Sequence, residues 1–286
     1  MSTDAFTAEL ADILRTDPPA ALVVDRIARQ AVDDVAVITL AKPEAFNALS
    51  LASWRQLRSD FTELARQENL RAVVLRGAGP KAFAAGADIK EFPETRMSAA
   101  AATDYNETIA RALRAVADLP VPVIAAVHGL AVGGGCELIT ACDVRIASTA
   151  ARFGIPIGKL GVTLGYTETV SVARLIGPAE LKYLLYSGEL ITADDAHRIG
   201  LVQRLTDPDG LVDAVTGLVG RIRSQSALTL KAAKVVTGMA GRPLTDADAD
   251  ALARFTVEAY EGSDLKEGVA AFAERRAPVF GQKGED

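Results

Sequence analysis

The chain has 286 residues, of which 49% are hydrophobic and 24% charged, enough for one large domain or one domain with an appendage. Its net charge is −6 and its basic residues form no run, which argues against a nucleic-acid-binding protein. The longest apolar stretch, residues 119–142, is interrupted by two prolines, four glycines and a glutamate, which argues against a membrane span.

The N-terminal residues and the cysteines indicate a cytoplasmic protein. Within the first 17 residues, four acidic side chains accompany a single arginine, the reverse of the balance in a secretory or transit peptide. Cys136 and Cys142 lie in an apolar stretch and are predicted to be buried, reduced thiols. Two histidines far apart argue against a histidine-rich metal site, and no G-x-G-x-x-G motif follows a predicted strand. We therefore expect no metal and no redox cofactor.

The first part of the chain predicts strands followed by a helix. Residues 23–27 and 35–40 have the composition of paired strands, with a turn at Asp33-Asp34. Residues 72–76 are apolar without interruption up to Arg76, which predicts a strand covered on both faces. Between them, a helix is expected to begin near Leu49, because apolar residues recur there at helical spacing. Its apolar face consists of Trp54, Leu57, Phe61 and Leu64.

The same order of elements recurs in the middle of the chain. A helix is predicted around Ile109 and Leu113, followed by a buried strand over residues 121–127. Short extended segments follow at residues 144–147 and 152–154. Because strand–strand–helix or strand–helix units recur, the sequence predicts an α/β fold.

From about Gly165 onward the pattern becomes helical. Three apolar stripes near the end, with no strand among them, predict three helices whose faces cover the core or a neighbouring subunit. We expect an N-terminal extension at residues 1–22, a core at residues 23–210, and a C-terminal helical region for oligomerisation at residues 211–286.

The stretch from Val127 to Leu138 indicates function. It predicts the end of a strand, a tight turn of three glycines and the first turn of a helix, where backbone N–H groups are unpaired. Glycines let a ligand oxygen approach that backbone closely. Glu137 lies three residues after Gly134, on the same helical face, so an oxyanion donor and a carboxylate base are expected side by side. Alternatively, the glycines form only a close-packed turn, and Glu137 only complements the helix dipole.

A second motif favours the functional interpretation. Residues 83–91, Phe-Ala-Ala-Gly-Ala-Asp-Ile-Lys-Glu, together with residues 133–143, Gly-Gly-Gly-Cys-Glu-Leu-Ile-Thr-Ala-Cys-Asp, resemble the enoyl-CoA hydratase/isomerase (crotonase) superfamily. Residues 47–49, 179–202 and 267–276 are also similar to that family. The resemblance extends from about residue 23 to residue 280, nearly the whole chain.

The resemblance implies a crotonase-type spiral of repeated ββα units with a C-terminal helical region, assembled as a homotrimer or homohexamer. It implies an acyl-CoA thioester substrate, with coenzyme A present only as part of that substrate. By position, the family's two backbone oxyanion donors are the N–H groups of Ala87 and Gly134. The coenzyme A portion is expected along the segment Ala85, Ala87, Asp88, Ile89 and Lys90, with Lys90 and Arg275 as candidate cations for the diphosphate.

The sequence departs from the family at the second acid. Family hydratases hold a water molecule between two glutamates; Glu137 matches the first, but the second position is Ile157, which cannot transfer a proton. The acidic positions of dienoyl-CoA isomerases and naphthoyl-CoA synthases fall on Gly165 and Leu164. Glu168 and Tyr166 lie nearby as possible substitutes, although a glutamate in the first turn of a helix usually faces solvent.

The expected activity is therefore nominal enoyl-CoA hydration, with Glu137 as the acid/base and Ile157 at the substrate site. Losing one general acid–base group costs about 10²–10⁴-fold, so other reactions are alternatives. One glutamate suffices for a double-bond isomerase, and a hydrolase or decarboxylase relies mainly on the oxyanion donors. A non-catalytic acyl-CoA-binding protein is a further alternative.

Overall fold

The computed structural model describes residues 3–281. Its strands are β1 (Val23–Val24), β2 (Ile27–Val32), β3 (Val35–Leu40), β4 (Ala72–Gly77), β5 (Ala82–Ala84), β6 (Val123–Val127), β7 (Leu130–Val132), β8 (Val144–Ser148), β9 (Arg152–Gly154), β10 (Ile191–Thr192) and β11 (Arg204–Thr206). Its α-helices are α1 (Thr3–Arg15), α2 (Leu51–Leu64), α3 (Phe92–Thr95), α4 (Ala99–Ala117), α5 (Gly134–Thr140), α6 (Tyr166–Ser187), α7 (Ala193–Arg198), α8 (Leu211–Arg223), α9 (Ala227–Gly238), α10 (Asp246–Glu261) and α11 (Ser263–Glu274).

The strands form two sheets. The larger has the order β1-β2-β3-β4-β6-β8-β11, parallel from β3 onward, and the smaller has the order β10-β9-β7-β5. The consecutive pairs β4–β5, β6–β7 and β8–β9 each place one strand in the large sheet and the next in the small sheet. This repetition produces a spiral of ββα turns, and the predicted fold class is confirmed.

The core lies on both faces of the large sheet. On one face, helices α2 and α4 pack against each other and bury the predicted apolar residues of α2, including Trp54 and Phe61. On the other face, Phe6 and Leu10 of α1 and Val215 and Val219 of α8 form a second cluster with the sheet. All six residues of β4 are buried, as its continuous apolar run predicts.

One predicted strand is displaced along the chain. The partner of β3 is β2, which begins at Ile27, whereas the sequence predicted a strand over residues 23–27. Asp25 and Arg26 have φ angles of 47° and 67°, so the backbone turns between β1 and β2. Partly exposed polar residues in β2 weaken its apolar pattern, which explains the misplacement. The predicted turn at Asp33-Asp34 is present.

The C-terminal helices differ in their packing. Helix α8 packs on the large sheet, whereas the apolar side chains Val269 and Phe272 of α11 are 63% and 87% exposed. The division at residues 22/23 and 210/211 stays a prediction, and residues 282–286 lie outside the described residues. No helix within residues 3–281 combines the length and apolarity needed to cross a bilayer.

Candidate active site

The predicted glycine turn joins β7 to α5. Gly133 has φ 52° and ψ −124°, a conformation that favours glycine. Gly86, on the neighbouring loop, has φ 97°, and a Cβ atom there would lie 2.8 Å from the carbonyl oxygen of Val132 and 3.3 Å from the nitrogen of Gly134. The two loops therefore approach each other backbone to backbone, which only small residues permit.

This approach brings two unpaired amides together. The loop containing Ala87 is fixed by backbone hydrogen bonds from Leu49 to Gly86 at 2.8 Å and from Asp88 to Leu49 at 2.9 Å. Neither the Ala87 N–H nor the Gly134 N–H donates a hydrogen bond within residues 3–281. A Cβ atom built on Gly134 would lie 3.8 Å from the Ala87 nitrogen, so the two residues are adjacent. Such a pair of free donors can hold one oxygen atom.

Both residues line a cavity of about 250 Å³. Its wall is mainly apolar, with Trp54, Ile109 and Ile157 among the lining residues. Two carboxyl groups, those of Glu137 and Glu168, share this cavity. An apolar cavity with a few convergent polar groups is typical of a site for a small-molecule ligand.

The cavity separates the predicted site residues into two groups. Those that line it are Ala85, Ala87, Ile89, Gly134, Glu137, Ile157 and Glu168. Asp88, Lys90, Tyr166 and Arg275 do not line it. Asp88 forms an ion pair with Arg26 at 2.7 Å, and Tyr166 is 85% exposed because it begins α6 on the solvent side. Lys90 and Arg275 are exposed, so neither contributes a charge to the cavity itself.

Glu168 does not follow the usual pattern for a glutamate in a first helical turn. It is 3% exposed, and its carboxylate folds toward Gly165, the residue that precedes α6. A Cβ atom on Gly165 would lie 2.2 Å from Glu168 Oε2. The missing side chain at Gly165 therefore leaves the space in which this carboxylate lies.

Burial dominates the acidity of both carboxyl groups. Desolvation and the nearby charge of Glu168 raise the pKa of Glu137 to about 8, while the charge of Arg96 opposes this shift. Desolvation also raises the pKa of Glu168, against the charges of Arg114 and Arg96. Because one charge disfavours the other, the pair holds one proton near neutral pH. An acid and a base are thus available in one cavity.

Two polar residues of the lining, Arg96 and Asn106, are not predicted by the sequence pattern. Arg96 follows α3, Asn106 lies in α4, and neither belongs to a recognisable motif. Their positions depend on the path of the α3–α4 connection, which the sequence pattern does not specify.

Comparisons with known proteins identify the family of this chain. A family model described as enoyl-CoA hydratase/isomerase matches residues 30–283. Crotonyl-CoA hydratase of Syntrophomonas wolfei is 34% identical over 91% of this chain and 99% of its own length, and short-chain-enoyl-CoA hydratase of Clostridium acetobutylicum is 36% identical over 85% and 92%. A crystal structure of an enoyl-CoA hydratase/carnitine racemase from Magnetospirillum magneticum superposes with a TM-score of 0.85 at 36% identity, covering 91% of this chain and 97% of that one. The chain belongs to the enoyl-CoA hydratase/isomerase, or crotonase, family.

Proposed function

We propose that this protein adds water across the double bond of a 2-enoyl-CoA thioester. The observation that carries the proposal is the presence of two carboxyl groups, Glu137 and Glu168, in one apolar cavity with two free backbone amides. The names of the Syntrophomonas and Clostridium relatives, both hydratases, support the same reaction.

The amides of Ala87 and Gly134 bind the thioester oxygen. When the β-carbon is attacked, negative charge moves from the double bond onto this oxygen, which becomes an enolate. Two preorganised N–H donors stabilise that charge by about 3–4 kcal/mol each. Since both donors are backbone groups, their side chains only need to be small, as alanine and glycine are.

Glu137 and Glu168 move the protons. The carboxylate of the pair accepts a proton from water while the water oxygen bonds to the β-carbon. The carboxylic acid of the pair then donates its proton to the α-carbon as the enolate collapses to the thioester. One proton enters the pair and one leaves, so the pair again holds one proton, now on the other carboxyl group, and exchange of that proton restores the starting state. The net change is the addition of one water molecule. In this scheme Glu168 replaces the acid that is absent at Ile157.

Coenzyme A enters as part of the substrate, along residues 85–90, and no other cofactor takes part. Lys90, which is exposed and follows the lining residue Ile89, is the candidate cation for the diphosphate. Arg275 does not line the cavity and would contact the diphosphate only from a neighbouring subunit or along a different path of the ligand. We further propose that the protein is cytoplasmic and assembles as a homotrimer or homohexamer. The exposed apolar side chains of α11 support the assembly, because they are suited to burial between subunits.

A panel of saturated, 2-enoyl, 3-enoyl and malonyl-type CoA esters tests the proposal, with products identified by mass and double-bond position. The expected result is a 3-hydroxyacyl-CoA formed from the 2-enoyl ester. A moved double bond at unchanged mass would indicate an isomerase, loss of carbon dioxide a decarboxylase, and release of free thiol a hydrolase. Saturable binding without any product would indicate a binding protein.

A further inference from the structure

Arg96 places a guanidinium in the wall of the cavity, whose other charged lining residues are Glu137, Lys159 and Glu168. The guanidinium of Arg96 lies over the rings of Phe92 and Tyr105, with its central carbon 5.1 Å and 4.4 Å from the two ring centroids, and it donates a hydrogen bond to Asn106 Oδ1. Its contacts are therefore with neutral groups. The side chain is half-buried.

Arg96 forms no ion pair within residues 3–281. Its charge acts on Glu137 and Glu168 from beyond ion-pair distance and favours their ionised forms. Within residues 3–281, the bond to Asn106 is the one hydrogen bond that the guanidinium donates, so most of its N–H donors have no acceptor there. A half-buried guanidinium with unused N–H donors and no carboxylate at contact distance can accept a ligand carboxylate as its partner.

Arg96 lines the same cavity as the two amides but comes from a different segment of the chain. The amides that bind the thioester come from the β5 loop and the start of α5, whereas Arg96 and Asn106 come from the α3–α4 segment. An acyl chain held at its thioester end can therefore present its other end to the guanidinium. A planar guanidinium binds a carboxylate through two parallel hydrogen bonds, and the amide nitrogen of Asn106 can add a third donor.

We propose that Arg96 binds a carboxylate at the far end of the acyl group, so that the preferred substrates are CoA thioesters of unsaturated dicarboxylic acids. This inference rests on the proposed acyl-CoA function and specifies its substrate class. It assigns Arg96 to substrate specificity and not to proton transfer.

Binding of unreactive esters tests the inference without turnover. Calorimetry compares glutaryl-CoA with pentanoyl-CoA, which have five-carbon chains ending in a carboxylate and a methyl group, and a six-carbon pair extends the test. Charge-assisted hydrogen bonds predict binding of the glutaryl ester roughly 10–100-fold tighter than the pentanoyl ester. In Arg96→Met this preference should disappear, in Arg96→Lys it should be reduced, and in Arg58→Met, an exposed arginine on α2, it should persist.

Equal affinity of the wild type for the two esters, or a preference that survives in Arg96→Met, would overturn the inference and leave the proposed function standing. Failure of both esters to bind would overturn both the inference and the proposed function. The wild-type comparison alone decides the matter if Arg96→Met does not fold.

Turnover provides a second measurement. The ratio of kcat/KM for glutaconyl-CoA to that for pent-2-enoyl-CoA cancels any influence of Arg96 on Glu137 and Glu168, because both substrates use the same acids. This ratio should fall roughly 10–100-fold in Arg96→Met. An equal loss on both substrates would show that Arg96 acts only through the two carboxyl groups, and the inference would be wrong.

Discussion

The site has two halves, one built from backbone groups and the other from side chains. The proposed oxyanion half consists of backbone amides, fixed where the Gly86 loop meets the turn before α5. The proposed proton-transfer half consists of two side chains, Glu137 on α5 and Glu168 on α6. The backbone half tolerates almost no added atom, whereas the side-chain half depends on where each carboxyl group is placed. Substitutions in the backbone half should therefore act by removing an N–H donor, and those in the side-chain half by removing or moving a carboxyl group.

The largest effect is expected for Glu137→Gln. The amide keeps the shape of the side chain but cannot exchange a proton, so kcat should fall about 10²–10⁴-fold. Hydration of a 2-enoyl-CoA, followed by loss of absorbance of the conjugated thioester, measures the change. Glu68→Gln, an exposed glutamate remote from the cavity, is the matched control and should retain wild-type rates. Unchanged turnover in Glu137→Gln would remove Glu137 from the mechanism.

In the backbone half, Ala87→Pro deletes the N–H donor. We expect a loss of about 10²–10³-fold in kcat, because one oxyanion donor is removed. Ala87→Gly keeps the donor and should remain within about tenfold of the wild type. Thermal unfolding of both variants checks that the loop still folds. If Ala87→Pro folds and retains its activity, the thioester oxygen does not bind there.

Because the two carboxyl groups share one proton, activity should decline at high pH. The burial-raised pKa of Glu137, about 8, marks where the pair loses its last proton, so kcat/KM should fall about tenfold per pH unit above that value. Removing the nearby negative charge in Glu168→Gln should lower the pKa of Glu137, since that charge is one of the two causes that raise it. Titration of Glu137 by carbon NMR measures this shift, and an unmoved pKa would show that the two groups are not coupled.

Gly165→Ala changes the position of Glu168 and not its chemistry. The added Cβ atom would lie 2.2 Å from Oε2, so the carboxylate must move, while the backbone φ of −71° suits alanine. We expect a fall in kcat of about 10-fold, since small misplacements of reacting groups are costly. Glu168→Asp, which shortens the side chain, should act in the same direction. Activity equal to the wild type in both variants would mean that the position of Glu168 is unimportant.

The smallest effect concerns stability. Because the folded protein raises the pKa of Glu137 above its unfolded value, the unfolded state releases the proton first as pH rises. The favourable contribution of Glu137 to the free energy of unfolding is therefore fully present below about pH 4.5 and is lost as pH rises to about 8. Glu137→Gln should stabilise the protein at pH 9 by about 1–3 kcal/mol and much less at pH 4, measured by urea unfolding. A pH-independent difference would contradict the raised pKa.

The backbone half was predictable from the sequence, and the side-chain half only partly. Glycines at fixed spacing identify Gly134, and the family motif identifies Ala87, because a close backbone approach excludes larger residues. The inward position of Glu168 was not predictable, since it depends on the space left by Gly165, a residue three positions earlier in the chain. Arg96 was not predictable either, because no local pattern specifies the path of the α3–α4 connection.

In the fold, too, some elements were predictable from the sequence and others were not. Continuous apolar runs predicted β4 and β6, because strands covered on both faces must be apolar. Strand β2, next to the two-residue edge strand β1, is partly exposed, so its apolar pattern is weak and the predicted strand was misplaced. The packing of α1 and α8 on one face of the large sheet depends on contacts between the two ends of the chain, which periodicity does not reveal.

Hydration in ¹⁸O-labelled water by the Glu168→Gln variant tests the paired-carboxyl mechanism decisively. Incorporation of ¹⁸O into the 3-hydroxyacyl product, followed by mass, should proceed readily in the wild type and in Glu68→Gln. In Glu168→Gln it should be slower by about 10²-fold or more, with the substrate still bound. Wild-type incorporation rates in Glu168→Gln would contradict the mechanism, because water would then be added without the second carboxyl group.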